Sequence, residues 1–276
     1  MSSGLLINLQ NSDGGWPYTR GRSWTEPTVY AILALLAQGE TAAARRGLDW
    51  ILRTQRRDGG WAPQTGVDQS MWVTALVALL PRDFLGGAAH ARAIGWLTGT
   101  TGEDTTARYR LRQWLLGNSK TGGVPGWPWV PGTAAWVVPT ALAVIALDKE
   151  MRRNPSAVIR DRVDEGRKFL LSRSCREGGW SNGSGLLPYP ETTGVALAAL
   201  RGVRSPGVAA AVGVAKRFLD DCRSADALNW LRLGLMAHDQ LPAEYCAPAQ
   251  VTFRTIPDAC MDLLVKSGRD GGTFWS

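Results

Sequence analysis

Apolar and polar positions along the chain fall into two alternating patterns. Over residues 46–55 the apolar side chains keep to one side of a helical wheel and charge to the other, which predicts a helix with one flank in water. Residues 28–36, 72–80, 140–147 and 193–200 are apolar nearly all round and rich in alanine, so the helices they predict must be enclosed by protein. Amphipathic and enclosed helices alternate, with a period of about 45 to 65 residues.

Glycine and tryptophan punctuate each pair. Asp13-Gly14-Gly15-Trp16, Asp58-Gly59-Gly60-Trp61, Glu177-Gly178-Gly179-Trp180 and the looser Gly123-Val124-Pro125-Gly126-Trp127 each precede an enclosed helix, and a frayed fifth copy stands at Asp270-Gly271-Gly272 before Trp275. Glycine supplies the backbone angles for the reversal. Helical hairpins with one wet and one enclosed member predict an all-α fold, an outer ring of helices around an inner ring: an α/α toroid. Each hairpin would bury its faces against two neighbours. Residues 1–276 are read as a single domain of this kind. Between Leu97 and Trp127 the period stretches; Arg92–Leu97 looks like an outer helix without its loop, and a helix over 109–116 has no evident place in the repeat.

Outer helices ending in glutamine before such a loop, as in Gln10-Asn11-Ser12-Asp13-Gly14-Gly15-Trp16 and Gln55-Arg56-Arg57-Asp58-Gly59-Gly60-Trp61, resemble the repeats of squalene and oxidosqualene cyclases and of protein prenyltransferase β subunits. The resemblance covers residues 5–200 clearly and the remainder weakly. It implies the toroid, and it implies that glutamine and tryptophan tie outer helices together and take no part in catalysis.

The mouths of the inner helices carry the candidate chemistry. Trp24-Thr25-Glu26-Pro27-Thr28, Trp136-Val137-Val138-Pro139-Thr140 and Tyr189-Pro190-Glu191-Thr192-Thr193 share one register: aromatic, any, acid or valine, any, threonine. The same alignment sets Ser70 at the acid position of the second repeat, with Asp68 two residues earlier, and Asp226 at that position in the last. A first-turn acid is also favoured by the helix dipole, and Thr25 or Ser224 could cap the helix. In a toroid, however, these helix starts converge. Carboxylates gathered around one hollow cannot all ionise cheaply, so one should keep its proton, as protonation of an alkene or epoxide requires. The candidate acids are Glu26 and Glu191, assisted by Asp68 and Asp226; Trp24, Trp72, Trp136, Tyr189 and Trp230 are the candidate walls for an apolar substrate and a developing cation.

Cyclases that start by protonation carry Asp-x-Asp-Asp-Thr at the head of such a helix, with the middle aspartate as acid. Matching its threonine to Thr28 puts Glu26 in that place, flanked by Pro27 and Trp24; matching to the fourth repeat puts Glu191 there. No intact motif exists, and Glu103-Asp104-Thr105-Thr106 is only superficially similar. The prenyltransferases hold zinc with aspartate, cysteine and histidine. The two histidines, His90 and His238, lack that spacing and are read as surface residues, so no metal and no cofactor are expected. Asp220-Asp221 lacks the third acid of a magnesium-diphosphate cluster.

The expected function is therefore class II terpene cyclase-like protonation of a polyprenyl substrate. Two alternatives stay open: a non-catalytic isoprenoid- or lipid-binding protein, and a carbohydrate-active toroid with two carboxylates. The inner helices, poor in asparagine and glutamine, disfavour sugar. Partners are expected to be an apolar isoprenoid or lipid-like molecule, with or without a diphosphate, and no nucleic acid. The net charge of +7 is spread over Arg45, Arg46, Arg56, Arg57, Arg108–Arg112, Arg152 and Arg153 and reads as solvated charge, with attraction to a diphosphate or a membrane surface as second reading. No apolar stretch reaches the ~18 residues a bilayer needs. No leader is expected in residues 1–16, and Cys175, Cys222, Cys246 and Cys260 need no disulfide role, which together suggest a cytoplasmic protein, with peripheral membrane contact as an option. Thirteen tryptophans against five phenylalanines show that large flat rings are wanted at particular places.

Overall fold

The computed structural model describes residues 3–116, 123–182, 187–241, 245 and 251–267. The frayed fifth loop near Asp270, its Trp275, and Cys246 lie outside the described residues; Cys175, Cys222 and Cys260 are free thiols. Among the described residues there are helices and isolated bridges but no strand. None of the described helices is long and apolar enough to cross a membrane.

Among the described residues six helices form the inner ring, the first four from the enclosed segments: α2 (Thr25–Ala37), α4 (Val73–Ala78), α8 (Val137–Arg153), α10 (Pro190–Ala199), α12 (Ala225–Met236) and α13 (Ile256–Ser267). Around them stand α1 (Ser3–Asn8), α3 (Thr41–Thr54), α6 (Gly87–Gly99), α9 (Ala157–Ser172) and α11 (Pro206–Asp221), with the short α5 (Arg82–Leu85) between α4 and α6. Each inner helix packs on the next in the order α2, α4, α8, α10, α12, α13, and α13 packs back onto α2. The ring therefore closes through the helix that the sequence pattern singled out least. Every residue of α2 from Thr28 to Leu35 is buried, as its all-round apolar pattern requires.

Each repeat is riveted by its tryptophan. The indole N–H groups of Trp16, Trp61, Trp127 and Trp180 donate to the carbonyls of Leu6, Ile51, Leu97 and Leu170, at 2.7 to 2.9 Å, all on outer helices. The backbone N–H of the same four residues donates to Thr28, Thr74, Thr140 and Thr193 of the following inner helices. One buried residue thus satisfies polar groups on both rings, which an unpaired indole or amide could not leave open without cost. The glycine before each tryptophan is needed for this approach: a Cβ at Gly126 would lie 2.8 Å from the Thr140 hydroxyl, and one at Gly60 2.9 Å from that of Thr74.

The glutamines do what the resemblance implies. Gln10 donates to Gly14 and to Ala43 of the next outer helix, and Gln55 to Gly59 and Ala89. The stretched period also resolves: α6 is the third outer helix and Trp127 is its rivet, thirty residues on. The intervening segment contains a 3₁₀ turn at Glu103–Thr105 and helix α7 (Ala107–Leu115). Asp104 is a buried pin there, accepting from the Ala135 N–H at 3.1 Å and facing Arg173.

Two expectations need correction. Neither histidine is a surface residue: His90 is buried against Glu150 at 3.8 Å, and His238 is half-buried with a ring nitrogen 2.9 Å from the Leu197 carbonyl oxygen. Thr25 is not a cap either, because its hydroxyl donates to Ala62 O; Ser224 does cap α12, accepting from the Ala227 N–H.

Candidate functional site

The starts of the inner helices meet at one end of the ring. Thr25 N–H donates to Pro63 O ahead of α4, Trp72 N–H to Trp129 O ahead of α8, and Ile256 N–H, at the start of α13, to Tyr18 O ahead of α2. On one half of this circle four neighbouring helices carry an acid in the first turn: Glu191 on α10, Asp226 on α12, Asp258 on α13 and Glu26 on α2. Nearby acids disfavour each other's charged form, and both perturbed groups respond to their neighbours: Glu26 to Asp226 and Asp258, Asp226 to Asp258 and Glu191.

Glu26 is the focus. Burial, reinforced by the two aspartates and opposed by a hydrogen bond donated by the Tyr18 hydroxyl, lifts its carboxyl from 4.5 to about 7. The helix dipole favours a first-turn carboxylate by only ~0.3–1 kcal/mol, so desolvation wins by a wide margin. Asp226 is raised from 3.8 to about 6, chiefly by desolvation and then by Asp258 and Glu191, with a hydrogen bond from Trp230 opposing. Its side chain keeps an exposed surface while protein crowds around its carboxyl. Tyr18 and the buried Tyr30 are both held firmly protonated by burial and by Glu26.

Acids elsewhere in the ring are treated differently. Asp148 is met by Arg152 and Arg167, Glu150 by Arg82, and Asp262 by Arg232 and Lys266. None of the ion pairs among the described residues includes Glu26, Glu191, Asp226 or Asp258. Structural acids are met by cations; at this end of the ring Glu26 feels Asp226 and Asp258 instead, and Asp226 feels Asp258 and Glu191.

Of the residues singled out in the sequence, the structure brings Glu26, Glu191 and Asp226 together. Trp24 joins them through an edge-to-face contact with Tyr18 at 5.4 Å, and Trp230 through Asp226. Asp68 is not part of the group: it stands fully in solvent, 4.0 Å from Arg56. The register that suggested it is corrected by the rivets. Met71 donates to Trp61 O as Trp24, Trp136 and Tyr189 do to their tryptophans, yet Thr74 follows after three residues instead of four. Ser70 is the counterpart of Ser23, each hydroxyl bonding the loop aspartate, so the second repeat has no acid in the place of Glu26. Trp72 packs edge-to-face on Trp129 at 5.0 Å, while Trp136 and Tyr189 are 39% and 50% exposed.

Parts of the sequence are similar to known proteins. Over 122 residues, 41% of this chain, the sequence is 31% identical to alpha-onocerin synthase LCD of Lycopodium clavatum, and over 44 residues, 15% of the chain, it is 48% identical to squalene–hopene cyclase of Alicyclobacillus acidocaldarius. These matches span 15% and 7% of the relatives' own lengths. No family model matches the chain. A solved structure of a protein from Actinoplanes shares the fold, with a TM-score of 0.55 and 19% identity over 86% of this chain and 75% of that one.

Sequence reasoning missed Asp258 and Tyr18. Asp258 had a local signal: Thr255-Ile256-Pro257-Asp258 forms a reciprocal cap, the carboxylate accepting from the Thr255 N–H at 3.0 Å and the Thr255 hydroxyl from the Asp258 N–H at 3.2 Å. Tyr18 had none, because only ring closure sets its loop between α2 and α13. Among the described residues no three His, Cys, Asp or Glu side chains are arranged so that they could hold a metal ion.

Proposed function

We propose that this protein initiates cyclisation of an isoprenoid by protonation, with Glu26 as the acid. The observation that carries the reading is the group of four first-turn acids without a cation partner among the described ion pairs, in which burial lifts Glu26 to about 7. On the reading of residues 1–276 as one domain, the substrate would sit inside the ring at the end where Glu26, Asp226, Asp258 and Glu191 begin their helices, with Trp24 and Trp230 beside them. The Glu26 O–H proton passes to a terminal alkene carbon; the π pair forms the new C–H bond and leaves a tertiary cation. Neighbouring carboxylates and indole faces then favour the cation, at ~0.5 to 2 kcal/mol per ring, while successive double bonds attack it. Tyr18 keeps its hydrogen bond to the carboxylate left behind, which prevents that product charge from standing unsolvated.

Terpene cyclases among the partial relatives support this chemistry, and the shared fold is compatible with it. Glu26 stands where the family's Asp-x-Asp-Asp motif would present its middle acid, without the flanking aspartates. The matching test is incubation of the protein with squalene, farnesyl diphosphate and geranylgeranyl diphosphate, followed by mass spectrometry of extracts. Glu26→Gln is expected to lower cyclised product by at least about a hundredfold, the scale of a lost general acid, with helical circular dichroism unchanged. Tight binding of a polyprene without turnover in the wild type would turn the assignment to a carrier; equal turnover in both would remove Glu26 from the chemistry.

A further inference from the structure

Four of the ten large apolar side chains exposed on the described surface stand within six residues, at α7 and its end: Leu111, Trp114, Leu115 and Leu116, each 58 to 70% exposed. Spacings of three and four place Leu111, Trp114 and Leu115 on one stripe of the helix. Every ring helix buries its stripe; α7 has as its substantial packing partner, among the described elements, only the 3₁₀ turn that leads into it. By sequence, ARYRLRQWL carries three arginines and no acid.

We propose that α7 seats the protein on an anionic membrane surface, its leucine and tryptophan stripe at the acyl boundary and its positive charge met by lipid headgroups. A short basic helix with an exposed leucine-tryptophan face has the composition of an interfacial helix. Charge decides between occupants. A second copy packed through α7 would set three arginines against three, on chains of net charge +7, whereas an anionic bilayer answers both the apolar stripe and the charge. Position agrees as well. Glu103 N–H donates to Thr133 O and Ala135 N–H to Asp104 Oδ1, which ties the base of α7 to the loop entering α8, at the ring end where the inner helices begin. Exposed Trp136, Leu187 and Tyr189 lie on loops and helix starts of that same end. The inference stands on exposure and charge and does not depend on turnover.

Co-sedimentation of the full chain with vesicles tests it. Phosphatidylcholine vesicles containing about 30% phosphatidylglycerol should take up the protein at least about tenfold better than phosphatidylcholine alone, and about 0.5 M NaCl should release it. Leu111→Glu with Leu115→Glu, or Trp114→Ser alone, should each lower the partition about tenfold or more with an unchanged melting temperature, since these side chains are already more than half exposed. Glu26→Gln should bind vesicles as the wild type does, separating failure of this inference from failure of the catalytic one. Wild type left in the supernatant, variants that bind undiminished, or a dimer in size-exclusion chromatography that the double variant dissolves without any vesicle uptake would each overturn the proposal.

Discussion

At the scale of single residues, one group has a measurable cost. Glu26 binds its proton more firmly in the folded chain, about 7, than in an unfolded one, 4.5. The folded state therefore holds the extra proton between those values, and the stability that goes with it is complete below about pH 4.5 and lost as pH rises through 7. A shift of that size corresponds to an upper figure on the order of 3 kcal/mol, less whatever solvent reaches the partly exposed carboxyl. Glutamine cannot ionise. Glu26→Gln should melt close to wild type at pH 5 and be more stable by about 2 kcal/mol at pH 8. Thermal or urea melts at both pH values check this; an equal offset at both would mean that Glu26 titrates normally and that the carboxylate quartet is not crowded. The same residue then weakens the fold and performs the proposed protonation, a trade expected where function needs a group in the wrong charge state.

At the scale of elements, the tryptophan rivet accounts for what was legible and what was not. Alternating wet and enclosed helices, the Gly-Trp loops and the glutamine ties could be read directly because each repeat writes them in the same local order. Glu26 and Glu191 were legible for the same reason, standing two residues after an aromatic and two before the riveting threonine. The second repeat broke that register by one deleted residue between Met71 and Thr74, which no local pattern announces, and so Asp68 was drawn in. His90 was misjudged because its burial comes from Glu150 and α4, distant in sequence. The rivet itself can be tested at Thr140, whose hydroxyl accepts from Trp127 N–H at 2.9 Å in a buried site. Thr140→Val keeps the shape and removes the acceptor, leaving a buried amide unpaired, so a loss of about 1–3 kcal/mol is expected by denaturant titration. A change under about 0.5 kcal/mol would show that the tryptophan is held by packing alone.

For the whole molecule, closure distinguishes this chain from an open array of hairpins. In an open array, damage to the last helix frays only its neighbour, because contacts run one way along the stack. Here α13 packs against both α12 and α2, and Ile256 N–H is bonded to Tyr18 O, so the first and last inner helices share one interface. Met261, buried in α13, is a suitable point of damage. Met261→Ala removes buried methylenes at a cost of about 2 kcal/mol or more. In a closed ring that loss reaches the amides of α2 as well as those of α12, lowering their hydrogen-exchange protection roughly thirtyfold, while α8, on the opposite arc, responds less unless it opens only by global unfolding. Exchange measured by mass spectrometry over peptides from the two arcs decides it. Protection lost in α12 with α2 unchanged would open the ring, and it would also separate Glu26 from Asp226 and Asp258, because Glu26 lies on the α2 side of that closing seam and the two aspartates on the other.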